Sequence, residues 1–368
     1  MRVLVINAGS SSLKLSLLND DDSTASQTDL PAPGGEFEPD AVRDALAKLG
    51  ADQAGAVGHR VVHGGREFLD PVVLNPTVRR KLGDLTSLAP LHQPPSLAGI
   101  DAVSQALPGV PAVACFDTAF HAGMPAAAHT YALPREWRER WALRRYGFHG
   151  LSHAYAARRA AELAGGVPDR LVVCHLGSGA SLAAVARGRP VDTTMGFTPL
   201  EGLVMATRSG TVDPGLVLWL ADQGGVPPSE LNNALEHRSG LLGLAGTADM
   251  REVEQRAGAG DDAASLALEV YLHRLRAEIA AMAAALGGLD TLVFTGGVGE
   301  NSAGVRARTA AGLAFLGVTM DASRNAAADG DTDVTGDGSA VRVLILTARE
   351  DLEIARQVRS VLDGPAAR

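Results

Sequence analysis

The chain lacks most features of secreted, disulfide-bonded or membrane proteins. Of its 368 residues, only Cys115 and Cys174 are cysteines. Both lie in apolar segments, so we expect buried free thiols rather than a disulfide framework. The charge-free stretch Ile279–Leu289 is too short to span a bilayer. No signal-peptide pattern precedes the first apolar run, and the sequence therefore favours a cytoplasmic protein with no membrane contact.

Positive charge is also scarce, and lysine is almost absent. Lys and Arg total 33 against 42 Asp and Glu, which gives a formal net charge of −9. Nucleic-acid-binding proteins usually carry a basic surface, so we expect no nucleic-acid partner. Only Lys14, Lys48 and Lys81 are lysines, and the other basic residues are arginines. Because arginine is common in this chain and lysine is rare, a single arginine is weak evidence of function, whereas Lys14 is stronger evidence.

Short apolar strands alternate with alanine-rich helical segments along most of the chain. Val3–Ile6 and Leu13–Leu18 flank a turn and predict a β-hairpin. Polar sequence predicts exposed loops or weak strands at Asn19–Pro39 and a surface loop at residues 323–340. Further strands and helices are predicted at Ala41–Leu49, Val110–Phe116, Ala154–Ala164, Leu171–His175, Leu266–Leu286, Leu292–Thr295, Val343–Thr347 and Glu350–Leu362. This alternation is typical of an α/β fold.

Two distant segments resemble each other. Val3–Ser10 and Leu171–Ser178 are both apolar strands followed by a polar residue, one apolar residue and then Gly-Ser, and a second strand-like run follows each. Strand-Gly-Ser turns also recur by chance. Because the two segments lie about half a chain apart, we favour a duplicated lobe.

Three glycine-rich turns could bind phosphate or a nucleotide. In the first, Gly9 permits a tight turn, Ser10–Ser12 add hydroxyl donors, Lys14 adds a charge, and Asn7 could orient a hydrated Mg²⁺. An ordinary hairpin turn with a surface lysine explains the same residues. The others are His175–Ser181 and Thr295–Ser302, and the last precedes a helix-like stretch whose N-terminus would attract phosphate. None is a P-loop or a G-x-G-x-x-G fingerprint.

Polar residues beside apolar or glycine-rich sequence are candidates for the chemistry. Arg60 and Arg208 could each bind a carboxylate or phosphate through a forked guanidinium, or each could form a structural ion pair. Asp117 follows a strand, where it could act as a catalytic or orienting group or cap a helix.

Two further segments have a metal-binding alternative. His149 and His153 stand four apart, but their segment lacks the glutamate of H-E-x-x-H, so zinc is disfavoured. Glu350 and Asp351 could hold Mg²⁺, or they could be the acidic first turn of a helix.

Taken together, these segments resemble the acetate kinase (acetokinase) family, within the superfamily of acetate and sugar kinases, heat-shock chaperones and actin. The resemblance covers most of the chain. It is carried by Asn7–Lys14, Gly58–Gly65, Pro90–Pro95, Phe116–His121, Tyr146–His153, His175–Ser181, Gly196–Gly202, Arg208–Gly210, Asp213–Gly215, Gly240–Gly243, Asp249–Arg251 and Gly296–Ser302.

The resemblance implies an α/β fold of two duplicated actin-like (ribonuclease-H-like) lobes around a central cleft, each a mixed β-sheet flanked by helices. We place the N-terminal lobe at residues 1–118 plus 351–368, and the C-terminal lobe, with nucleotide and dimer surfaces, at residues 119–350. The implied activity is the reversible, direct in-line transfer of a phosphoryl group from ATP to acetate, giving ADP and acetyl phosphate. Mg²⁺ (or Mn²⁺) is the implied cofactor, and a cytoplasmic homodimer is the implied assembly.

The same resemblance assigns roles residue by residue. Asn7 and Glu350 would sit at the metal, and His92 would be a further polar contact. Asp117 would orient the nucleophile or Arg208, while His149 and Arg208 would stabilise the transferred phosphoryl group. The carboxylate substrate would contact Arg60, Val62, Leu91, Phe148 and Pro199. The nucleotide would contact Lys14, His175, Leu176, Gly177, Ser178, Gly179, Asp249, Met250, Arg251, Gly297, Val298, Gly299, Glu300 and Asn301.

The chain departs from the family pattern at two turns, and other functions compete. Ser178 stands where the family usually has asparagine, and Arg349 precedes the presumed metal ligand Glu350. A propionate or butyrate kinase is a close alternative, because one methylene changes binding in an apolar pocket by only about 1–3 kcal/mol. A non-enzymatic actin- or chaperone-like nucleotide switch is a distant one. A serine hydrolase is disfavoured because no G-x-S-x-G motif occurs.

Overall fold

A computed structural model of the chain describes residues 1–9, 12–31, 37–90 and 92–363. The chain divides into two compact units. The first comprises Met1–Ala122, Phe148–Tyr155 and Arg349–Arg368, and the second comprises Gly123–Gly147 and Ala156–Ala348. Each unit is built on a six-stranded sheet within the described ranges.

The first unit has a mixed sheet with strand order β3-β2-β1-β4-β6-β5. β1, β4 and β6 are parallel, whereas β2, β3 and β5 run antiparallel to their neighbours. The strands are β1 (Val3–Ala8), β2 (Ser12–Leu18), β3 (Thr24–Pro31), β4 (Ala56–Val61), β5 (Val72–Val73) and β6 (Ala112–Phe116). The helices are α1 (Pro39–Leu49), α2 (Pro76–Asp84), α3 (Gln93–Ala106), the start of α6 (Gly150–Ala164), and α15 (Glu350–Asp363).

Strand periodicity divides the core of this unit into two layers. Leu4 and Ile6 of β1 pack with Leu46 of α1 on one face of the sheet. Val3 and Val5 pack with α15 on the other face. Because successive strand side chains point to opposite faces, an apolar run buried on both sides is the pattern expected of a central strand.

The second unit has strand order β11-β12-β10-β7-β8-β9. Its strands are β7 (Arg170–Leu176), β8 (Ala180–Ala186), β9 (Arg189–Thr193), β10 (Thr291–Thr295), β11 (Thr332–Asp333) and β12 (Arg342–Ile345). Its helices are the rest of α6, α4 (Ala126–His129), α5 (Arg135–Trp141), α7 (Pro214–Asp222), α8 (Pro228–His237), α9 (Gly240–Ala245), α10 (Met250–Gly258), α11 (Asp262–Leu286), α12 (Gly296–Asn301), α13 (Ala303–Ala311) and α14 (Ala322–Ala326).

The two sheets share one topology. β7 pairs antiparallel with β8 and parallel with β10, as β1 does with β2 and β4. Each sheet also ends in a short antiparallel edge strand, β5 or β11. The predicted duplication and the predicted α/β fold class are therefore confirmed.

Two local predictions need correction. Residues 323–340 are not one surface loop, because they contain most of α14, the strand β11 and the fully buried Val334. The third glycine-rich turn is itself helical, since α12 covers Gly296–Asn301.

Across the described ranges, no helix is both long and apolar enough to cross a membrane. Cys115 and Cys174 are buried free thiols, as predicted.

Candidate active site

Arg60 lies at the centre of a polar cluster at the carboxyl edge of the first sheet. It is the penultimate residue of β4, beside the ends of β1 and β6. Its Nη2 donates to Asp117 Oδ2 at 2.6 Å and its Nε to Asp117 Oδ1 at 3.1 Å. Its Nη1 donates to Asn7 Oδ1 at 3.1 Å. Parallel strands bring their carboxyl ends to one edge, which explains how residues far apart in sequence meet here.

The Arg60 guanidinium is fixed in position but keeps hydrogen-bonding capacity. A guanidinium has five N–H donors, and these contacts use one on each of its three nitrogens. Burial alone would lower the pKa of Arg60, but Asp117 and Glu350 raise it above its ordinary value. The Arg60 side chain is 20% exposed, whereas that of Asp117 is 1% exposed. The remaining N–H groups can therefore serve an anionic ligand without loss of the ion pair.

Glu350 and Asn7 complete the cluster and provide the oxygen atoms that a hard cation needs. Asn7 Nδ2 donates to Glu350 Oε2 at 3.4 Å, and that oxygen lies 3.9 Å from Arg60 Nε. Arg349 forms a bidentate ion pair with Asp351, with N–O distances of 2.9 and 2.8 Å. No group of three His, Cys, Asp or Glu ligands occurs in the described part of the chain. One partly exposed carboxylate suits Mg²⁺, which keeps several waters and takes few protein ligands.

The segment Asp117–His121, which we call the support segment, contacts the loop after β4 and the residues at the start of α6. Thr118 Oγ1 accepts from Gly64 N at 3.0 Å. Asp117 O accepts from Gly150 N at 2.8 Å. His121 Nε2 lies 3.1 Å from Phe148 O. A single turn after β6 thus supports the loop after β4 and the start of α6.

Two of the predicted substrate residues in the first unit, Val62 and Phe148, are apolar and buried. The rings of Phe148 and the buried His63 meet edge to face with centroids 5.6 Å apart. Gln93, which is fully buried, donates to His63 O and accepts from His63 N, both at 3.3 Å. These contacts hold the His63 and Phe148 rings and the Gln93 amide together in the interior of the first unit.

Arg208 belongs to the second unit. Its Nη1 donates to Pro199 O at 2.7 Å, and its Nε lies 3.8 Å from Glu236 Oε2. Its side chain is 17% exposed. Arg208 is therefore loosely paired and partly accessible. Its hydrogen bond brings it to Pro199, the predicted substrate residue in this unit.

A cavity of about 720 Å³ lies between the glycine-rich turns of the second unit. Eight of the predicted nucleotide residues line it: Gly177, Ser178, Asp249, Met250, Arg251, Gly297, Val298 and Asn301. Asp249 caps α10 by accepting from Arg251 N at 2.9 Å. Gly177 N donates to Gly179 O at 3.0 Å, which closes the turn between β7 and β8. The cavity has the size expected of a nucleotide site, and Gly177 and Gly297 bring the backbone of two turns to its wall.

Other predicted residues do not line this cavity. Lys14 is exposed on β2 of the first unit. Glu300 Oε1 instead accepts from Gly296 N and Ala348 N, both at 2.9 Å. His92 stands immediately before α3. The remaining predicted nucleotide residues outside the lining are His175, Leu176, Gly179 and Gly299, and Leu91 lies outside the described residues.

Sequence reasoning missed several residues at these sites. Gln93 and His121 lie inside segments that carry the family resemblance, but nothing local in the sequence indicates their partners. Tyr271 and Glu254 line the cavity from α11 and α10. Tyr271 falls on an apolar helical stripe that the sequence predicts only as core.

The fold and the site define a class. This is an α/β protein of two duplicated actin-like units, with an arginine–carboxylate cluster in one and a cavity between glycine-rich turns in the other. The Acetokinase family model matches residues 40–356. The chain belongs to the acetokinase family.

Individual relatives agree with this assignment. The chain is 48% identical to the acetate kinase of Leifsonia xyli subsp. xyli (strain CTCB07), over 96% of this chain and 97% of that protein. The crystal structure of Porphyromonas gingivalis acetate kinase matches with a TM-score of 0.90 at 36% identity, covering 98% of this chain and 99% of the other. A propionate kinase from Francisella tularensis subsp. tularensis SCHU S4 matches with a TM-score of 0.91, also at 36% identity and with the same coverage.

Proposed function

We propose that the protein transfers a phosphoryl group from ATP to acetate, reversibly, to form ADP and acetyl phosphate. The observation that carries the proposal is Arg60, which is held by Asn7 and Asp117, keeps free N–H donors and stands close in sequence to the buried Val62. A guanidinium beside apolar side chains suits a short carboxylate with a methyl group. The relatives named acetate kinase support the same substrate.

The proposed reaction needs little general-base catalysis. A carboxylate is already a competent nucleophile, so the protein must mainly position the reactants and neutralise charge on the phosphoryl oxygens. We assign Arg60 to the carboxylate, and His149 and Arg208 to the phosphoryl group. The resemblance gave Asp117 the task of orienting the nucleophile or Arg208. Its short contacts with Arg60 favour orientation of that arginine instead.

Nucleotide and metal complete the proposal. ATP or ADP would occupy the cavity of the second unit, with its phosphates near the backbone of Gly177 and Gly297. Mg²⁺ would be held by Glu350 and Asn7, whose side chains are hydrogen-bonded to each other, and it would supply positive charge to phosphate oxygens.

A cytoplasmic homodimer is part of the proposal. Helix α7 is strongly apolar, and none of its residues is buried. Leu216, Leu218 and Trp219 are 48%, 64% and 56% exposed. An apolar helix that is exposed along its length marks an interaction site, and we assign it to a second copy of the chain. Light scattering should give twice the 38.0 kDa chain mass; Leu218→Glu should give monomers, and Val167→Glu, at another exposed position, should not. A monomeric parent protein would refute the dimer.

The decisive experiment measures ADP formation from ATP and Mg²⁺ with acetate, propionate, butyrate or no carboxylate. We expect acetate to give the highest kcat/KM. Faster turnover of propionate would favour the alternative that the Francisella propionate kinase suggests. ATP hydrolysis at an equal rate without any carboxylate would refute the kinase assignment and leave the nucleotide-switch alternative.

A further inference from the structure

His149 has a backbone conformation that its side chain does not favour. Its φ is +56°, and it is one of few non-glycine residues with positive φ in the described ranges. Residues with a Cβ rarely adopt the left-handed region, and where they do, the surrounding structure must hold them there. The support segment is the part of the structure placed to do so.

Hydrogen bonds from the support segment lie on both sides of His149. The carbonyl before it, Phe148 O, lies 3.1 Å from His121 Nε2. The amide after it, Gly150 N, donates to Asp117 O at 2.8 Å. A Cβ at Gly150 would lie 2.2 Å from Asp117 O, so the close approach requires glycine at that position.

The chemistry of His121 determines the direction of its bond. A carbonyl oxygen only accepts, so His121 Nε2 carries the hydrogen. His121 is fully buried, and its Nδ1 has no hydrogen-bond partner among the described residues. Burial lowers the pKa of His121 to about 4, so the ring is neutral near pH 7. A neutral Nε2–H tautomer leaves only a bare acceptor at Nδ1, whereas an imidazolium would bury an unbonded N–H.

We propose that His121 is a positioning residue that holds His149 in its left-handed conformation through the Nε2–H···O bond to Phe148. The kinetic part of this inference rests on the proposed function, in which His149 contacts the phosphoryl group. The structural part does not. His149 is half-buried, whereas His121, which holds it in position, is fully buried.

Two substitutions of His121 separate the hydrogen bond from packing. His121→Gln keeps an N–H donor at the place of Nε2, and His121→Met has similar length without a donor. Crystal structures should show positive φ at residue 149 in the Gln variant and its loss in the Met variant. As a matched control, His59→Met removes another buried imidazole of the same unit and should leave residue 149 unchanged. Positive φ retained in His121→Met would overturn the proposal.

A second measurement uses the parent protein and so does not depend on the folding of any variant. ¹⁵N NMR of histidine-labelled parent protein should show His121 as the neutral Nε2–H tautomer, and an Nδ1–H tautomer would overturn the proposal.

Kinetics provide a third test. His121→Met should lower kcat for acetate phosphorylation on the order of 10-fold to 100-fold, with KM for acetate nearly unchanged. In a His149→Ala background the same substitution should cause no further loss. Additive losses would assign His121 a general structural role and overturn the kinetic part. An inactive parent protein would refute the proposed function, while the crystal and NMR measurements would still test the positioning role.

Discussion

At the scale of single residues, the local sequence indicates which side chains are unusual but not which of them meet. Arg60 and Asp117 were each singled out, with an ion pair as the alternative for the arginine and a helix cap for the aspartate. Their contact joins residues 57 apart and depends on the parallel register of β4 and β6. No local pattern encodes that register, and the same holds for His121 and Phe148.

Arg60 should be essential for turnover, and lysine should not replace it. Arg60→Ala removes the only charge that we assign to the carboxylate, and Arg60→Lys keeps a charge without the planar fork that contacts both Asp117 and Asn7. We expect kcat/KM for acetate to fall by about 10²-fold or more in both variants, a loss of roughly 2.7 kcal/mol or more of transition-state stabilisation. The measurement is steady-state kinetics, accompanied by thermal unfolding to establish that each variant folds.

The matched control for Arg60 is Arg79. It also forms a bidentate ion pair with an aspartate, Asp101, at 2.7 and 2.6 Å in the same unit, but both side chains are substantially exposed. Arg79→Ala should leave kcat/KM within about twofold, because exposed ion pairs contribute about 0–1 kcal/mol. Parent-like kinetics in Arg60→Ala would remove Arg60 from the substrate site.

At the scale of elements, periodicity predicted about half of the strands and the long helices α1, α6, α11 and α15, but it missed several elements in which glycine or polar residues dominate. The hairpin of β1 and β2 follows from a continuous apolar run and an alternating run that are separated by a short polar segment. Helix α12 could not be predicted, because glycine occupies three of its six positions and glycine disfavours helices. Helix α14 and strand β11 were missed because both are short and lie in polar sequence.

The contact between β4 and α15 should depend on the absence of a side chain at Gly58. A Cβ there would lie 2.4 Å from Ile354 Cγ2 and 2.8 Å from Val358 Cγ2, on a helix that covers this face of the sheet. Gly58→Ala should therefore lower the free energy of unfolding by about 1–3 kcal/mol, as overpacked cores do. Urea denaturation gives the value.

Two further variants test the physical reason. Gly83→Ala in α2 meets only Arg79 Nη1, at 3.6 Å, and should be neutral or slightly stabilising. The double variant Gly58→Ala/Ile354→Ala should lose less stability than the two single variants combined, because the second change removes the clashing methyl group. Strict additivity would show that the clash is not the cause.

At the scale of the whole molecule, duplication was the most informative sequence signal. The similarity between residues 3–10 and 171–178 marked β1 and β7, and the shared strand order extends that similarity to all six strands of each described sheet. The motifs predicted which residues would cluster in each unit better than they predicted the contacts among them. Eight predicted residues line the cavity of the second unit, whereas the Glu300 carboxylate lies outside the lining and accepts from Gly296 N.

Stability should fall between pH 7 and pH 5 because the first unit buries neutral histidines. Burial lowers the pKa of His59 to about 3, partly opposed by Asp101, and lowers the pKa of His63 and His121 to about 4. The unfolded chain has ordinary histidine pKa values near 6.5, so it binds more protons than the folded chain between about pH 6.5 and pH 4. Stability is therefore greatest above pH 6.5 and is lost as the pH falls through this window.

The expected size follows from the same values. Each buried histidine contributes a loss of up to about 2 kcal/mol between pH 7 and pH 5, a range in which most carboxylates stay ionised. Urea denaturation at both pH values measures the loss. His59→Gln removes one titrating group and should reduce the difference by about a third. Equal stability at pH 7 and pH 5 would mean that these imidazoles become protonated without unfolding, and hence that the first unit opens to water around them.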